Sequence, residues 1–263
     1  MSFYGANFIY NNIISSEYGL HISSAGESDS TDGSDVELYT QELYRRPKLY
    51  LLGVQQTPVL KMPITINVEH EISAIEDSVI SNWLFGGLSY KKLQIIQPDM
   101  QYVYYNCIFT GKKTERVGNI IRGYSGEIVC DSPFAWEYPK TISYNYGTST
   151  YTVNDSITIN NDSDNADYTY PSVTFKMNSF GGNLSIINTS ESSRTFTFTG
   201  LSPSEQITVD NDLQIITSNM RTNAFPYFTN YKWLRYIKGN NNFTISGNIE
   251  SISFTHQFAK KIS

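Results

Sequence analysis

At 263 residues and a formal charge of −6, the chain can build one large or two ordinary domains. It is too acidic to present the concentrated cationic stripe that a nucleic-acid backbone demands, so no sequence-specific nucleic-acid partner is expected. The content of 20 Tyr and 14 Phe, with abundant Thr, Ile and Ser, favours strands over helices. The start Met-Ser-Phe-Tyr-Gly has no secretory character and no apolar run reaches about 18 residues, so a soluble product made in the cytosol, without membrane insertion, is expected.

In chain order, a first strand is expected over Tyr4–Tyr10 and a second at Tyr18–Ile22. The run Ser23–Asp35 has no apolar residue larger than Ala25, cannot bury itself, and is expected to be an exposed or partly disordered loop. Strands resume at Val36–Arg46, Tyr50–Val54 and Ile64–Glu71. One helix is expected at about residues 74–85, because Ser73 followed by Glu76 makes a capping box and Gly86-Gly87 stops it. Ile75, Val79, Ile80, Trp83 and Leu84 would line its buried face.

Three further strands read as Lys91–Gln97, Tyr102–Thr110 and Tyr124–Cys130, with turns at Pro98-Asp99 and Gly118-Asn119. Two prolines flank an aromatic cluster at Asp131–Pro139, which marks a boundary between a first domain, 1–137, and a second, 138–263. In the second, Pro171–Phe175, Leu184–Asn188, Thr195–Gly200, a hairpin at Gln206–Ile216 and Ser251–Phe258 alternate apolar and polar residues. Period-two patterning at that density reads as an antiparallel sandwich.

No catalytic, cofactor-binding or metal-binding residue is assigned. The carboxylate pairs Glu69/Glu71, Asp162/Asp164 and Asp210/Asp212 are the candidates for acid–base work, but Asp210-Asn211-Asp212 sits where a hairpin must turn. The acidic loops Asp29–Asp35 and Asp162–Asp167 do not match an EF-hand. His21, His70 and His256 each stand alone in a strand-like segment. Cys107 and Cys130 form neither a metal spacing nor a disulfide framework and read as small, reduced core residues.

The basic pairs Arg45-Arg46, Lys91-Lys92, Lys112-Lys113 and Lys260-Lys261 read as solvated edges. Sequons at Asn154, Asn161, Asn183, Asn188 and Asn242 read as turn asparagines in a cytosolic product. Trp83 and the strand aromatics read as core, while Trp136, Trp233 and clustered tyrosines could form a saccharide platform.

The series as a whole resembles the distal tail proteins of long, non-contractile-tailed bacteriophages, also called phage tail components. The matching segments are Glu17–Ile22, Asn82–Gly86, Lys92–Ile95, Tyr104–Phe109, Cys130–Ala135, Tyr170–Val173, Leu184–Asn188, Ile207–Ile216 and Gly239–Phe243. The resemblance rests on their order and spacing along nearly the whole chain. It implies a mainly β fold: an N-terminal β-sandwich with one α-helix and a long hairpin, then a galectin-like β-sandwich.

It also implies a non-enzymatic, homohexameric ring that joins the tail tube protein to a tip, fibre or lysin protein and leaves a channel for DNA. Such a ring is assembled in the host cytoplasm and sits at the distal end of the virion tail. The chain lacks the long C-terminal insertions that carry extra saccharide modules in some of these proteins. Two alternatives stand beside the hub: a module that binds a host-surface saccharide, and a glycoside hydrolase using an acidic pair such as Glu69/Glu71.

Overall fold

A computed structural model describes residues 6–23, 36–56, 59–148 and 152–261. The chain divides into two compact units, Met1–Glu137 with Lys260–Ser263, and Tyr138–Ala259. Beyond Ser23, the polar run ending at Asp35 lies outside the described residues.

The first unit contains β1 (Phe8–Tyr10), β2 (Ile13–Ile14), β3 (Leu20–Ser23), β4 (Val36–Glu42), β5 (Leu49–Gln56) and β6 (Lys61–Val68). Helix α1 (Ala74–Phe85) follows, then β7 (Lys91–Ile95), β8 (Val103–Val117), β9 (Ile120–Cys130) and β10 (Ala135–Glu137). The main sheet runs β2-β1-β7-β8-β9-β6-β3, with β10 on the start of β8. Ala6, just before β1, exchanges backbone hydrogen bonds of 3.1 and 2.9 Å with Ile22 of β3. The sheet therefore curls until its far strands meet, and its inner face wraps one apolar core. Close approach within the curl calls for glycine in β9: a Cβ on Gly123 would lie 2.5 Å from the Ile66 carbonyl oxygen.

Helix α1 begins as expected. The Ser73 hydroxyl accepts the Glu76 N–H at 3.3 Å, and the Glu76 carboxylate accepts the Ser73 N–H at 2.9 Å. Its second half docks: Ile80 and Leu84 are buried, and Trp83 stacks on Phe8 at 5.9 Å and donates its indole N–H to the Tyr10 carbonyl at 3.0 Å. Ile75 and Val79, expected on the buried face, are 78% and 45% exposed. The first turn is held by its cap and by Asp77 instead of by burial. Asp77 accepts hydrogen bonds from the Tyr124 hydroxyl at 2.9 Å and the Ser81 hydroxyl at 3.1 Å, and lies 3.4 Å from Lys112. It thereby ties the helix to both strands of the β8–β9 hairpin.

That hairpin is longer than the sequence pattern indicates. Strand β8 continues to Val117, through Lys112, Lys113, Glu115 and Arg116, because cross-strand hydrogen bonds extend it where burial does not. Gly118, at φ 63°, supplies the left-handed residue of its two-residue turn.

The second unit holds β11 (Lys140–Asn145), β12 (Val153–Asn161), β13 (Ser172–Met177), β14 (Gly182–Asn188), β15 (Arg194–Leu201), β16 (Gln206–Asp210), β17 (Ile215–Ser218), β18 (Gly239–Gly247) and β19 (Ile249–His256). The final strand is β20 (Ala259–Lys260), and in the first unit Lys260 Nζ lies 3.5 Å from Glu137. A five-stranded sheet, β11-β19-β13-β16-β17, faces a four-stranded sheet, β12-β18-β14-β15. Alternate residues point inward: Val173, Phe175 and Met177 from one sheet, Phe196, Phe198 and Ile186 from the other. Phe175 meets Phe198 edge-on at 5.3 Å, and Phe243 stacks on Phe254 at 6.2 Å. The outer faces are polar, with Thr174 and Thr208 hydroxyls 3.0 Å apart. The described fold is thus mainly β with one helix and a C-terminal β-sandwich. Strands β11, β12 and β18 carry few large apolar residues, Ile142 and Tyr144 in the first, with Asp155 and Asn241 at inward positions of the other two, so alternation alone does not mark them.

Two outcomes test this packing. Phe198→Ala is expected to destabilise the second unit by about 3–5 kcal/mol, whereas the exposed Phe225→Ala should cost less than about 0.5 kcal/mol, both read from chemical unfolding. Burial of Asp77 by itself would raise its pKa, but the donors Tyr124, Ser81 and Lys112 outweigh it and hold the carboxyl below its ordinary value. A carboxylate with a depressed folded pKa stabilises above its unfolded pKa, and that contribution is lost as pH falls through the folded value. Asp77→Ala should therefore cost about 1–3 kcal/mol at neutral pH, with the difference from wild type shrinking in unfolding curves below about pH 4.

Candidate assembly surface

Among the described residues, exposed large apolar side chains cluster on a feature outside both cores. Strands β4 and β5 form a two-stranded sheet of their own, paired from Val36↔Gln56 to Glu42↔Leu49, with a register shift at Tyr39/Thr40. Cross-strand partners share a face, so Leu49, Leu51 and Val54, opposite Glu42, Thr40 and Leu38, lie on one face of the ribbon, and Leu52, opposite no residue of β4, is the extra residue of the bulge. Those four side chains and Leu38 are each more than half exposed. A two-stranded ribbon alone is marginal in water, and this one exposes Leu38, Leu49, Leu51 and Val54 together on one face.

Its tip is cationic. Arg45, at φ 62°, lies over the Tyr44 ring at 5.1 Å, and Arg46 donates to the Tyr50 hydroxyl at 3.4 Å.

The carboxylate pairs disperse into separate local roles. Glu69 faces His21 at 3.6 Å, while His70 lies 3.9 Å from Glu76. Asp210 accepts the N–H groups of Asp212 and Leu213 at 3.1 and 2.9 Å, which is the work of a turn residue. The segment Asp162–Asp167 is stitched by side chains that accept backbone N–H groups two residues ahead: Asn161 from Ser163, Ser163 from Asn165, and Asn165 from Asp167. Residues 29–35 lie outside the described residues. Among the described residues no group of three or more His, Cys, Asp or Glu is placed to hold a metal ion. No described helix is long and apolar enough to cross a membrane. His256 stacks on Phe258 at 4.6 Å in the second unit.

Of the aromatic candidates, Trp83 is packed in the core, and Trp233 lies against Phe228 at 4.9 Å with its carbonyl accepting from Arg194 at 3.2 Å. Trp136 is half-buried in β10. A pair that the sequence reading passed over is open instead: Phe225 and Tyr231 stack at 5.3 Å and are both exposed. Their loop is anchored by an ionic cluster. Glu205 is fully buried and accepts from Arg221 at 2.7 Å, from the Ser218 hydroxyl at 2.8 Å and from the Ser202 N–H at 2.8 Å. Burial pushes the Glu205 pKa up, but the three donors outweigh burial and leave it lowered. The Arg221 guanidinium also covers the Tyr227 ring at 3.6 Å. No local sequence signal could have joined Glu205 to Arg221.

Comparison with known proteins adds two kinds of likeness. Among solved structures, the chain is similar to the SPP1 Dit protein, described as a paradigm of the hub adsorption apparatus in phages infecting Gram-positive bacteria. The TM-score is 0.72 at 10% identity, covering 96% of this chain and 99% of that one. It is also similar to a chain of the phage p2 baseplate in its activated conformation with Ca (TM-score 0.57, 11% identity, covering 98% and 99%), and likewise with Sr (0.58, 11%, 98% and 99%). At these identities the likeness is one of fold. No curated protein sequence matches the chain. Two family models do: a phage tail protein N-terminal domain over residues 3–132 and a phage tail C-terminal domain over residues 134–256. With nearly every residue accounted for by those two domains in that order, the chain belongs to the phage tail protein family that they define.

Proposed function

We propose that the chain is the distal hub subunit of a long, non-contractile phage tail. Six copies close into a ring that joins the tail tube protein to the tip, fibre or lysin protein and leaves a passage for DNA. In this reading residues 1–137 form the ring and residues 138–263 face the tip apparatus, the ring assembles in the host cytoplasm, and the role asks for no catalysis. The family membership and the fold shared with the SPP1 Dit and p2 baseplate chains support it.

The single observation that carries it is the β4–β5 ribbon. An apolar arm of this kind on a monomer is covered when it lies on a neighbouring subunit, and a head-to-tail contact of that type closes into a ring when its rotation allows. Light scattering of the purified chain should give a six-copy mass, with rings in negative-stain images. Leu51→Ser with Val54→Ser, both on the apolar face of the ribbon, should leave the circular dichroism spectrum intact and shift the particle to smaller species. A wild-type chain that stays monomeric at its highest soluble concentration rejects the reading.

The stacked, exposed Phe225–Tyr231 pair favours a second reading, contact with a host-surface saccharide through the second unit. Aromatic faces open to solvent suit the apolar faces of sugar rings. If so, Phe225→Ala with Tyr231→Ala abolishes retention on host cell-wall polysaccharide, while Trp83→Phe does not. Equal retention of the double variant and the wild type removes this platform from consideration.

A further inference from the structure

The register of the β8–β9 hairpin sets Cys107 directly opposite Cys130. The neighbouring hydrogen bonds define what kind of pair this is. The Asp131 N–H donates to the Asn106 carbonyl at 2.9 Å, which makes Asn106 and Asp131 the hydrogen-bonded pair. The Cys130 N–H turns the other way, to the Leu60 carbonyl at 2.9 Å. Cys107 and Cys130 are therefore a non-hydrogen-bonded pair, the antiparallel position where facing Cα atoms are closest, about 4.5 Å, and side chains nearest. Disulfides bridge Cα separations of about 4.4–6.8 Å, so this pair falls at the short end of their range. Both side chains point into the same core and both are fully buried, which excludes intermolecular partners.

We propose that Cys107 and Cys130 form an oxidative modification site, a cross-strand disulfide that staples the base of the β8–β9 hairpin when the folded chain meets a low-molecular-weight disulfide outside a reducing compartment. The thiolate of one cysteine attacks the oxidant's S–S bond, releasing one thiol and leaving a mixed disulfide. The second cysteine displaces the remaining thiol, so the protein gives up two protons and two electrons and the oxidant becomes two thiols. A reducing cytosol keeps the pair free, and oxidising surroundings close it. The site goes beyond the hub reading and does not rest on it, because its geometry lies within one hairpin.

Burial also makes the reaction slow. It is the main cause holding the Cys130 thiol up at about 12 and raising that of Cys107 further, so thiolate is scarce and exchange waits for transient opening. Equilibrium, not rate, is therefore the quantity to measure. The full chain is refolded from urea in reduced and oxidised glutathione at a series of ratios, and a second set is held unfolded in urea. Both are brought to equilibrium, acid-quenched and alkylated, then read by intact mass and by peptide mapping.

A folded chain that loses two hydrogen atoms, maps to a Cys107–Cys130 link, and closes at a glutathione ratio at least tenfold more reducing than the unfolded chain supports the site. Its oxidised form should then unfold at higher urea than its reduced form, with Cys130→Ala abolishing both differences. Equal or weaker closure in the folded chain, mixed glutathione adducts alone, or links between chains would overturn it.

Discussion

Strand β8 is the constraint on which the first unit depends, because its backbone is shared among three partners. Val103 and Tyr104 pair with β10, Tyr105 to Cys107 with β7, and Cys107 to Val117 with β9. A backbone polar group buried without a partner is costly, and the shared pairing leaves β8 flanked on both sides around Asn106 and Cys107. Helix α1 is then placed by β8 and β9 together, since Asp77 takes Tyr124 from one strand and Lys112 from the other. Lys112 also bonds Ser81 and lies over the Tyr124 ring at 5.2 Å, so helix, strand and ring form one patch midway along the hairpin. Movement of the hairpin would strain the helix dock, and loss of the dock would free the hairpin.

The second unit solves a different problem. Its two sheets bury apolar residues in alternation, while the irregular segment after β17 docks by burying Phe228, Leu234 and Tyr236 in the same core and by the Thr229 N–H donating to the Thr197 carbonyl at 3.1 Å. Charge and Asx chemistry brace what burial leaves open. Glu205 and Arg221 close one end, and Arg235 covers the Tyr168 ring at 3.5 Å and pairs with Glu191. Asn241 bonds the backbone of Ile237 and Gly239 and accepts from Asn188. A buried charge is tolerated only when its partners are complete, and Glu205 has all of them. The consequence is that Phe225 and Tyr231 are presented on a braced loop, although neither is itself buried.

Two surfaces thus differ in kind. The β4–β5 ribbon exposes Leu38, Leu49, Leu51 and Val54 on one face and has no core of its own, which is the signature of a contact to be made with another chain. The Phe225–Tyr231 pair is small and locally supported, as a ligand contact would be. The overall charge of −6 favours solubility of the free subunit. The cations Arg45, Arg46 and Lys48 sit at the ribbon tip, where charge limits indiscriminate pairing.

Much of this was legible in residue order alone. Period-two alternation located the β13 to β16 strands and β19, and Ser73 with Glu76 and Gly86 marked both ends of α1, because caps and alternation are local chemistry. The tail-protein resemblance also lay in the order of short segments along the chain. What the sequence could not supply depends on residues distant in the chain. The charged half of β8 carries no burial pattern and exists only because β9 pairs with it. Ile75 and Val79 look like core on a helical wheel and are left in solvent by where the sheet ends. Glu205 meets Arg221, and Cys107 faces Cys130, through registers that no spacing encodes. Local propensity and capping decided which segments are strands and helix; tertiary pairing decided which faces are covered and which side chains meet, because those depend on long-range backbone register.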